Sequence, residues 1–362
     1  MKIALVHDYL LEAGGAERVL RVLSEMYPEA PIYTALTKNG TAKKLFADRH
    51  IVESPWAWFL KIGRFYSYFR FLLPWIWQSI DLSSYDVVIT SCSGYIARGF
   101  TVSPNTKVIA YCHTPPRWLY GYDTPTGAHK TWWGQAFMWF VGPFMRYFDY
   151  QSAQRVNVWI ANSKEVARRI AKFYRKTAIV VYPPIQVNSK FQIPNSKREN
   201  YYLIVSRIVA TKGILEAARA AEKEAFTLKI VGEVVDQNLG EVLSHMKKNV
   251  ELLGRVNEEA LARLYAGAKG FIALARDEDF GMTVVESMAY GTPVLAYNGG
   301  GYQETVLPGK TGVLIDGTDT KMVVAGMKQI QKTKWDSVII QKWAATFGRA
   351  RFEKEVRKIV GV

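Results

Sequence analysis

The chain has 362 residues, 49% of them hydrophobic, and a formal net charge of +15. That length is long for one domain and comfortable for two, each with its own core. Two cysteines, Cys92 and Cys112, exclude a disulfide framework and a cysteine-rich metal site, and suit a reducing, cytoplasmic setting.

No run reaches the roughly 18 uncharged apolar residues of a membrane span. The nearest, Thr131 to Met145, is broken by Gly142-Pro143. The start, Met1 to Gly15, has no basic segment leading into a signal-peptide core. Up to residue 185 there are 22 Lys and Arg against 12 Asp and Glu, and beyond it 25 against 20. A basic first half expects an anionic partner, and its sign fits lipid head groups, nucleic acid or phosphorylated substrates alike.

In chain order, Ile3 to Val6 reads as a buried strand and Ala16 to Tyr27 as a helix. Between them, Gly14-Gly15-Ala16-Glu17 allows close backbone approach to a ligand, although a Gly-Gly turn before a helix is usually just a turn. It is not the dinucleotide fingerprint. From Trp56 to Trp77, aromatics are interleaved with Lys61, Arg64 and Arg70, and a second cluster runs from Trp132 to Phe144. Such segments suit a bilayer interface, a groove for a lipid acceptor, or ordinary helix packing. They also suit single-stranded nucleic acid, but no RNA-binding motif accompanies them and that partner is not expected. Val87 to Thr90 and Val108 to Tyr111 are further strands, and His113 follows the second; His7 likewise follows the first strand of the chain. A strand at Val158 to Ala161 leads through the N-cap Ser163 into a helix, and Ile179 to Tyr182 closes this half.

Residues 186–200 are polar and read as a linker, after which the alternation restarts. Tyr202 to Val205 is a strand, and Arg207 and Lys212 lie in the loop after it. Two cations there can converge on a diphosphate, Arg gripping two oxygens and Lys acting as a point charge. Later strands begin at Leu228, Val250 and Gly270. Then comes Glu278-Asp279-Phe280-Gly281-Met282, a helix carrying Glu286 about two turns in, and a turn at Gly291-Thr292-Pro293 into a strand. A helix N-terminus offers unpaired N–H groups to a phosphate or to hydroxyls, and a carboxylate can accept from the two vicinal hydroxyls of a ribose. Gly300-Gly301-Tyr302-Gln303-Glu304 follows. Alternating apolar strands and helices imply parallel sheets covered on both faces, in an α/β fold.

The two glutamates with seven residues between them, FG after the first pair, and GTPV and GGxxE behind, resemble the signature of retaining glycosyltransferases of family 4 (group 1). The string HTPPRWLY from His113 resembles a mannosyltransferase-like subgroup. The resemblance implies the GT-B fold, two doubly wound Rossmann-like domains facing across a cleft. It implies residues 1–185 as the acceptor-binding domain, 186–200 as linker, 201–342 as the nucleotide-sugar domain, and 343–362 as a C-terminal helix packing back on the first domain. By position, His113, Arg207, Lys212 and Glu278 carry the reaction, His113 orienting the sugar. Gly14, Gly15, Phe280, Gly281, Met282 and Glu286 hold the donor, Glu286 on its ribose.

No metal and no other cofactor is expected, because the basic pair can neutralise the diphosphate; Asp277-Glu278-Asp279 is an Asp-x-Asp only in form. The expected donor is GDP-mannose and the acceptor a saccharide or lipid-linked saccharide at the inner face of the cell membrane, with the protein cytoplasmic and peripheral to an anionic surface. The alternatives are a UDP-sugar on the same fold, or a non-catalytic polyanion-binding protein.

Overall fold

The computed structural model describes all residues except 39, 41–43, 62–67, 123, 125–130, 186–197, 247 and 362. Most of the expected linker therefore lies outside the described residues, as does Arg64 of the first aromatic segment. The chain divides into two compact units, residues 1–184 with 352–362, and residues 185–351.

The first unit is built on seven parallel strands: β1 (Ile3–His7), β2 (Ile32–Thr34), β3 (Ile51–Glu53), β4 (Val87–Cys92), β5 (Lys107–Cys112), β6 (Val158–Ala161) and β7 (Ala178–Val180). Their order is β3-β2-β1-β4-β5-β6-β7. In register, Leu5 faces Ile89 and Ile89 faces Ile109. Every residue of β4 is buried, in keeping with its mostly apolar sequence: helices cover both faces. They are α1 (Gly15–Met26), α2 (Ala57–Lys61), α3 (Leu73–Gln78), α4 (Trp132–Gln154) and α5 (Lys164–Tyr174). The Ser163 hydroxyl caps α5 by accepting from the Val166 N–H at 3.0 Å.

The second unit has six parallel strands: β8 (Tyr201–Val205), β9 (Thr227–Val231), β10 (Val250–Gly254), β11 (Gly270–Ala273), β12 (Val294–Tyr297) and β13 (Gly312–Ile315). Their order is β10-β9-β8-β11-β12-β13. The helices are α6 (Ile214–Lys223), α7 (Gln237–His245), α8 (Glu258–Gly267), α9 (Met282–Ala289), α10 (Tyr302–Thr305), α11 (Thr320–Lys332) and α12 (Ser337–Ala345). Where description resumes within the expected linker, Arg198 donates to the carbonyls of Ala266 at 3.1 Å and Ala268 at 2.8 Å, fixing residue 198 to this unit.

In both sheets the chain first winds one way and then returns to the middle to wind the other. The β1/β4 and β8/β11 pairs are thus topological switch points, where open α/β sheets bind ligands at their C-terminal strand ends.

The end of the chain holds two helices, and residue 343 falls inside the first of them. Asp336 caps α12, and the Trp343 indole donates to the Thr305 carbonyl at 2.7 Å, so α12 stays with the second unit. The last helix, α13 (Arg349–Val360), buries Phe352, Val356 and Val360 on the face of the first sheet that α1 also covers. Phe352 lies edge-on to Tyr111 at 5.7 Å. Lys107 Nζ donates to the Ile359 carbonyl at 2.7 Å, satisfying a terminal acceptor of α13.

Candidate functional site

In the second unit, the loop after β8 carries Arg207 and Lys212, and the loop after β11 carries Glu278 to Gly281. These are the two loops of the switch point. Lys212 Nζ lies 2.7 Å from Glu278 Oε2, with their side chains 29% and 20% exposed. The structure thus brings together two residues that the sequence separates by 66 positions. Arg207 is exposed at the end of β8. Its loop is pressed against Gly232 (φ +147°), where an added Cβ would stand 1.8 Å from the Ser206 carbonyl oxygen.

The Glu278 loop is held from behind by the Gly300-Gly301 turn. Gly301 N–H donates to the Glu278 carbonyl at 2.9 Å. A Cβ at Gly301 would come within 2.4 Å of Phe280 Cα, so only glycine permits this approach. Phe280 is buried against Phe347, 5.6 Å between ring centres. Gly281 takes φ +88° as the N-cap of α9, and Met282 is the first helical residue.

Glu286 is the fifth residue of α9, just past its first turn and not two turns in. Gly281 starts the helix later than the apolar pattern suggests, because its left-handed backbone ends the loop. Glu286 is 7% exposed and accepts from the Tyr265 hydroxyl at 2.9 Å. Tyr265 is a residue the sequence did not point to.

In the first unit, His113 follows β5 and Gly14-Gly15 follow β1. They are tied together by three residues that sequence reasoning left without a role. Glu17 Oε2 accepts the Gly14 N–H at 2.8 Å, and Oε1 lies 3.6 Å from His7 Nε2. His7 Nδ1 is 3.0 Å from Ser91 Oγ, and Ser91 Oγ is 2.8 Å from His113 Nε2. Burial alone would raise the Glu17 pKa; the His7 contact and the Gly14 N–H outweigh it and hold the carboxyl below its usual range. Burial, with the His7 charge adding to it, pushes His113 down to about 3, so its imidazole is neutral at neutral pH. The visible signals were His7 directly after an apolar strand and Glu17 as third helical residue after a Gly-Gly turn. Ser91 gave none.

Among the described residues no group of three or more His, Cys, Asp or Glu is arranged to hold a metal ion, and no helix is long and apolar enough to cross a membrane.

Two Rossmann-like units, each a parallel sheet with a switch point, define the GT-B class. In agreement, the structure superposes on Anabaena HepE in complex with UDP-glucose with a TM-score of 0.73, covering 100% of both chains at 17% identity. Residues 13–188 match the family model "Glycosyltransferase Family 4" and residues 186–342 match "Glycosyl transferases group 1"; the chain belongs to these glycosyltransferases.

The alpha-1,3/1,6-mannosyltransferase ALG2 of Candida glabrata is 24% identical over 406 residues, 94% of this chain and 84% of that one. A GDP-mannose-dependent alpha-mannosyltransferase of Mycolicibacterium smegmatis is 34% identical over 112 residues, 31% of this chain and 29% of that one. For several curated relatives the chain spans about half of their length or less.

Proposed function

We propose that this chain transfers mannose from GDP-mannose to a hydroxyl of a saccharide or lipid-linked saccharide, with retention of configuration and without a metal. The observation that carries the reading is the Lys212–Glu278 pair at the β8/β11 switch point, beside the N-terminus of α9. The likeness to mannosyltransferases favours the donor.

In this reading Glu286 holds the ribose and the amides around Phe280, Gly281 and Met282 receive the diphosphate. As the C1–O bond breaks, its electron pair passes to the β-phosphate oxygen, where Arg207 and Lys212 meet the growing charge. The acceptor oxygen bonds to C1 on the same face, and its proton passes to the departing phosphate. Glu278 contacts the sugar, and orienting the reacting sugar is the role proposed for Gly14, Gly15 and His113.

The first test is a melting screen with GDP, UDP and their sugars, since a ligand of the folded state raises the melting temperature. A selective shift with GDP supports the reading; no shift with either nucleotide overturns it. A selective UDP shift would establish the second reading, a UDP-sugar donor, which the likeness to the UDP-glucose complex favours.

Peripheral binding to an anionic membrane belongs to the same proposal. The outward face of α4 exposes Trp132 (82%), Trp139 (72%), Phe140 (73%) and Tyr147 (66%). Phe144 on that face meets Trp75 of α3 at 5.9 Å. Arg146 is exposed alongside, in the more basic half of the chain. Aromatic rings flanked by cations seat at the head-group boundary. By contrast Leu60, Leu73, Ile76 and Trp77 of the first aromatic segment are core residues.

A further inference from the structure

Arg70 is a cation with aromatic neighbours and no carboxylate partner. It lies in the short 3-10 helix Tyr68–Leu72, directly before α3. Its guanidinium carbon stands 5.8 Å from the centre of the Tyr95 ring and 5.3 Å from that of Trp118. Both rings are themselves fixed. Tyr95 is buried and meets Tyr9 edge-on at 4.9 Å, and the Trp118 indole donates to the Gly94 carbonyl at 2.8 Å. Tyr9, Tyr95 and Trp118 lie in the loops that follow β1, β4 and β5. The guanidinium therefore stands at the same end of the sheet as Gly14 and His113, around the β1/β4 switch point, where open α/β sheets bind ligands.

Among the described residues Arg70 forms no ion pair and no hydrogen bond, and its Nε is buried without a partner. The carboxylates around nearby Tyr9 are Asp8, Glu12 and Glu17, and none of them pairs with Arg70. Asp8 is committed to the loop after β4, accepting from the N–H groups of Ser93 at 2.9 Å, Tyr95 at 3.0 Å and Ala97 at 2.9 Å. Aromatic faces attract a guanidinium but leave its in-plane N–H donors unused, and that flat fork matches the oxygens of a phosphate. The surroundings are apolar as well. Phe69 and Phe71 flank Arg70 and pack on the core, and Trp75 of α3, 48% exposed, meets Phe144 of α4 at 5.9 Å. An unpaired cation on an apolar, aromatic segment suits an anion that ends a hydrocarbon chain.

We propose that Arg70, held against Tyr95 and Trp118, binds the phosphate or diphosphate that joins a lipid anchor to the acceptor saccharide. The proposal rests on the sugar-transfer reading above and narrows its acceptor to a lipid-linked one.

The probe is farnesyl diphosphate, a diphosphate on a short isoprenoid chain. It is titrated into the full chain by calorimetry, with saturating GDP or UDP present so that a nucleotide site cannot take up the probe. Arg70→Gln should weaken binding at least about tenfold, the loss of one charged hydrogen bond. Arg70→Lys keeps the charge without the flat fork and should weaken it less. Farnesol, which carries no anion, should bind wild type and Arg70→Gln alike. Inorganic diphosphate should bind wild type at least about tenfold more weakly than farnesyl diphosphate. Nucleotide affinity should not change in either variant. A second readout needs no variant: farnesyl diphosphate should protect Arg70 of the wild type from phenylglyoxal, read by peptide mass spectrometry.

Equal farnesyl diphosphate affinity in wild type and Arg70→Gln overturns the proposal and leaves Arg70 a packing residue. So does phenylglyoxal modification of Arg70 that the probe does not slow, which decides the matter if Arg70→Gln fails to fold. Inorganic diphosphate bound as tightly as farnesyl diphosphate overturns the lipid-linked source. A wild type that binds neither nucleotide would instead count against the sugar-transfer reading, and the Arg70 comparison, run without nucleotide, still gives its own answer.

Discussion

Replacing Lys212 by Met separates a catalytic cation from a structural one. The side chain keeps its length and loses its charge. Lys212 and Glu278 are 29% and 20% exposed, so the ion pair is partly solvated and its contribution to stability is small, about 0–1 kcal/mol. For a unit of this size that corresponds to a melting shift of at most about 4 °C. The effect on transfer should be far larger. A charged hydrogen bond to the diphosphate contributes about 1.5–3 kcal/mol, and removing one fixed group aimed at transition-state charge costs roughly 100- to 1000-fold in kcat. In the proposed function, loss of Lys212 also leaves the Glu278 carboxylate unneutralised close to the diphosphate.

The assay is initial-rate sugar transfer beside nucleotide titration and thermal melting of the same preparation. The reasoning is refuted if Lys212→Met melts more than about 5 °C lower while kcat/KM stays within a few-fold of wild type, for the pair would then be a structural clasp. A Lys212→Met, Glu278→Gln double variant checks the coupling. If Lys212 serves only to neutralise Glu278, the double variant should recover most of the rate.

Glu286→Ala removes the carboxylate proposed to hold the ribose and takes away the Glu286 oxygen that accepts from the buried Tyr265 hydroxyl; nucleotide affinity should fall at least about tenfold and stability by about 1–3 kcal/mol, read by calorimetry and urea unfolding. Gly232→Ala places a Cβ 1.8 Å from the Ser206 carbonyl oxygen at φ +147°, so it should lower stability by more than about 2 kcal/mol and displace the Arg207 loop; a melting curve like that of wild type would contradict the close approach. The folded chain keeps His113 neutral down to about pH 3, whereas in the unfolded chain it takes a proton near pH 6.5. Stability from this group is therefore complete above about pH 6.5 and lost as the pH falls, by up to about 1.4 kcal/mol per pH unit; urea unfolding between pH 6.5 and 5 should show a flatter slope for His113→Asn. Replacing Trp139 and Phe140 by Ser should release the protein from phosphatidylserine vesicles in a sedimentation assay without changing its melting; equal sedimentation would remove the α4 face from the membrane proposal.

What the sequence disclosed depended on how far apart the cooperating residues lie. The loop from Glu278 to Gly281, the helix after it and the β12 turn form one continuous segment, and each part has a local signature: a left-handed glycine, a helical run, a turn before an apolar strand. Alternating apolar strands likewise disclosed two parallel sheets. Local pattern could not reveal pairings made by the sheet itself. His7 and Ser91 are 84 residues apart and meet because β1 and β4 run side by side. Ser91 is a small polar residue in a mostly apolar strand, and its contacts are two histidines at the ends of β1 and β5. Tyr265 and Glu286 meet through the packing of α8 beside α9, which local pattern does not reveal either.

Placement of the chain's end was limited in a different way. The segment from Trp343 reads as one amphipathic stretch, but α12 is tied to the second unit by its Asp336 cap and by Trp343, and α13 is tied to the first by Phe352. Both attachments are tertiary, and the change of unit falls in the first turn of α13, between Arg351 and Phe352. The same reasoning bears on the polar chain in the first unit. Glu17 has a local reason to be where it is, as the partner of the Gly14 amide, and that reason would be satisfied by Gln. Only its second oxygen, facing His7, requires a carboxylate. A carboxylate at this position thus answers a long-range contact with His7 as well as the helix cap, and the isosteric amide is the substitution that separates the two.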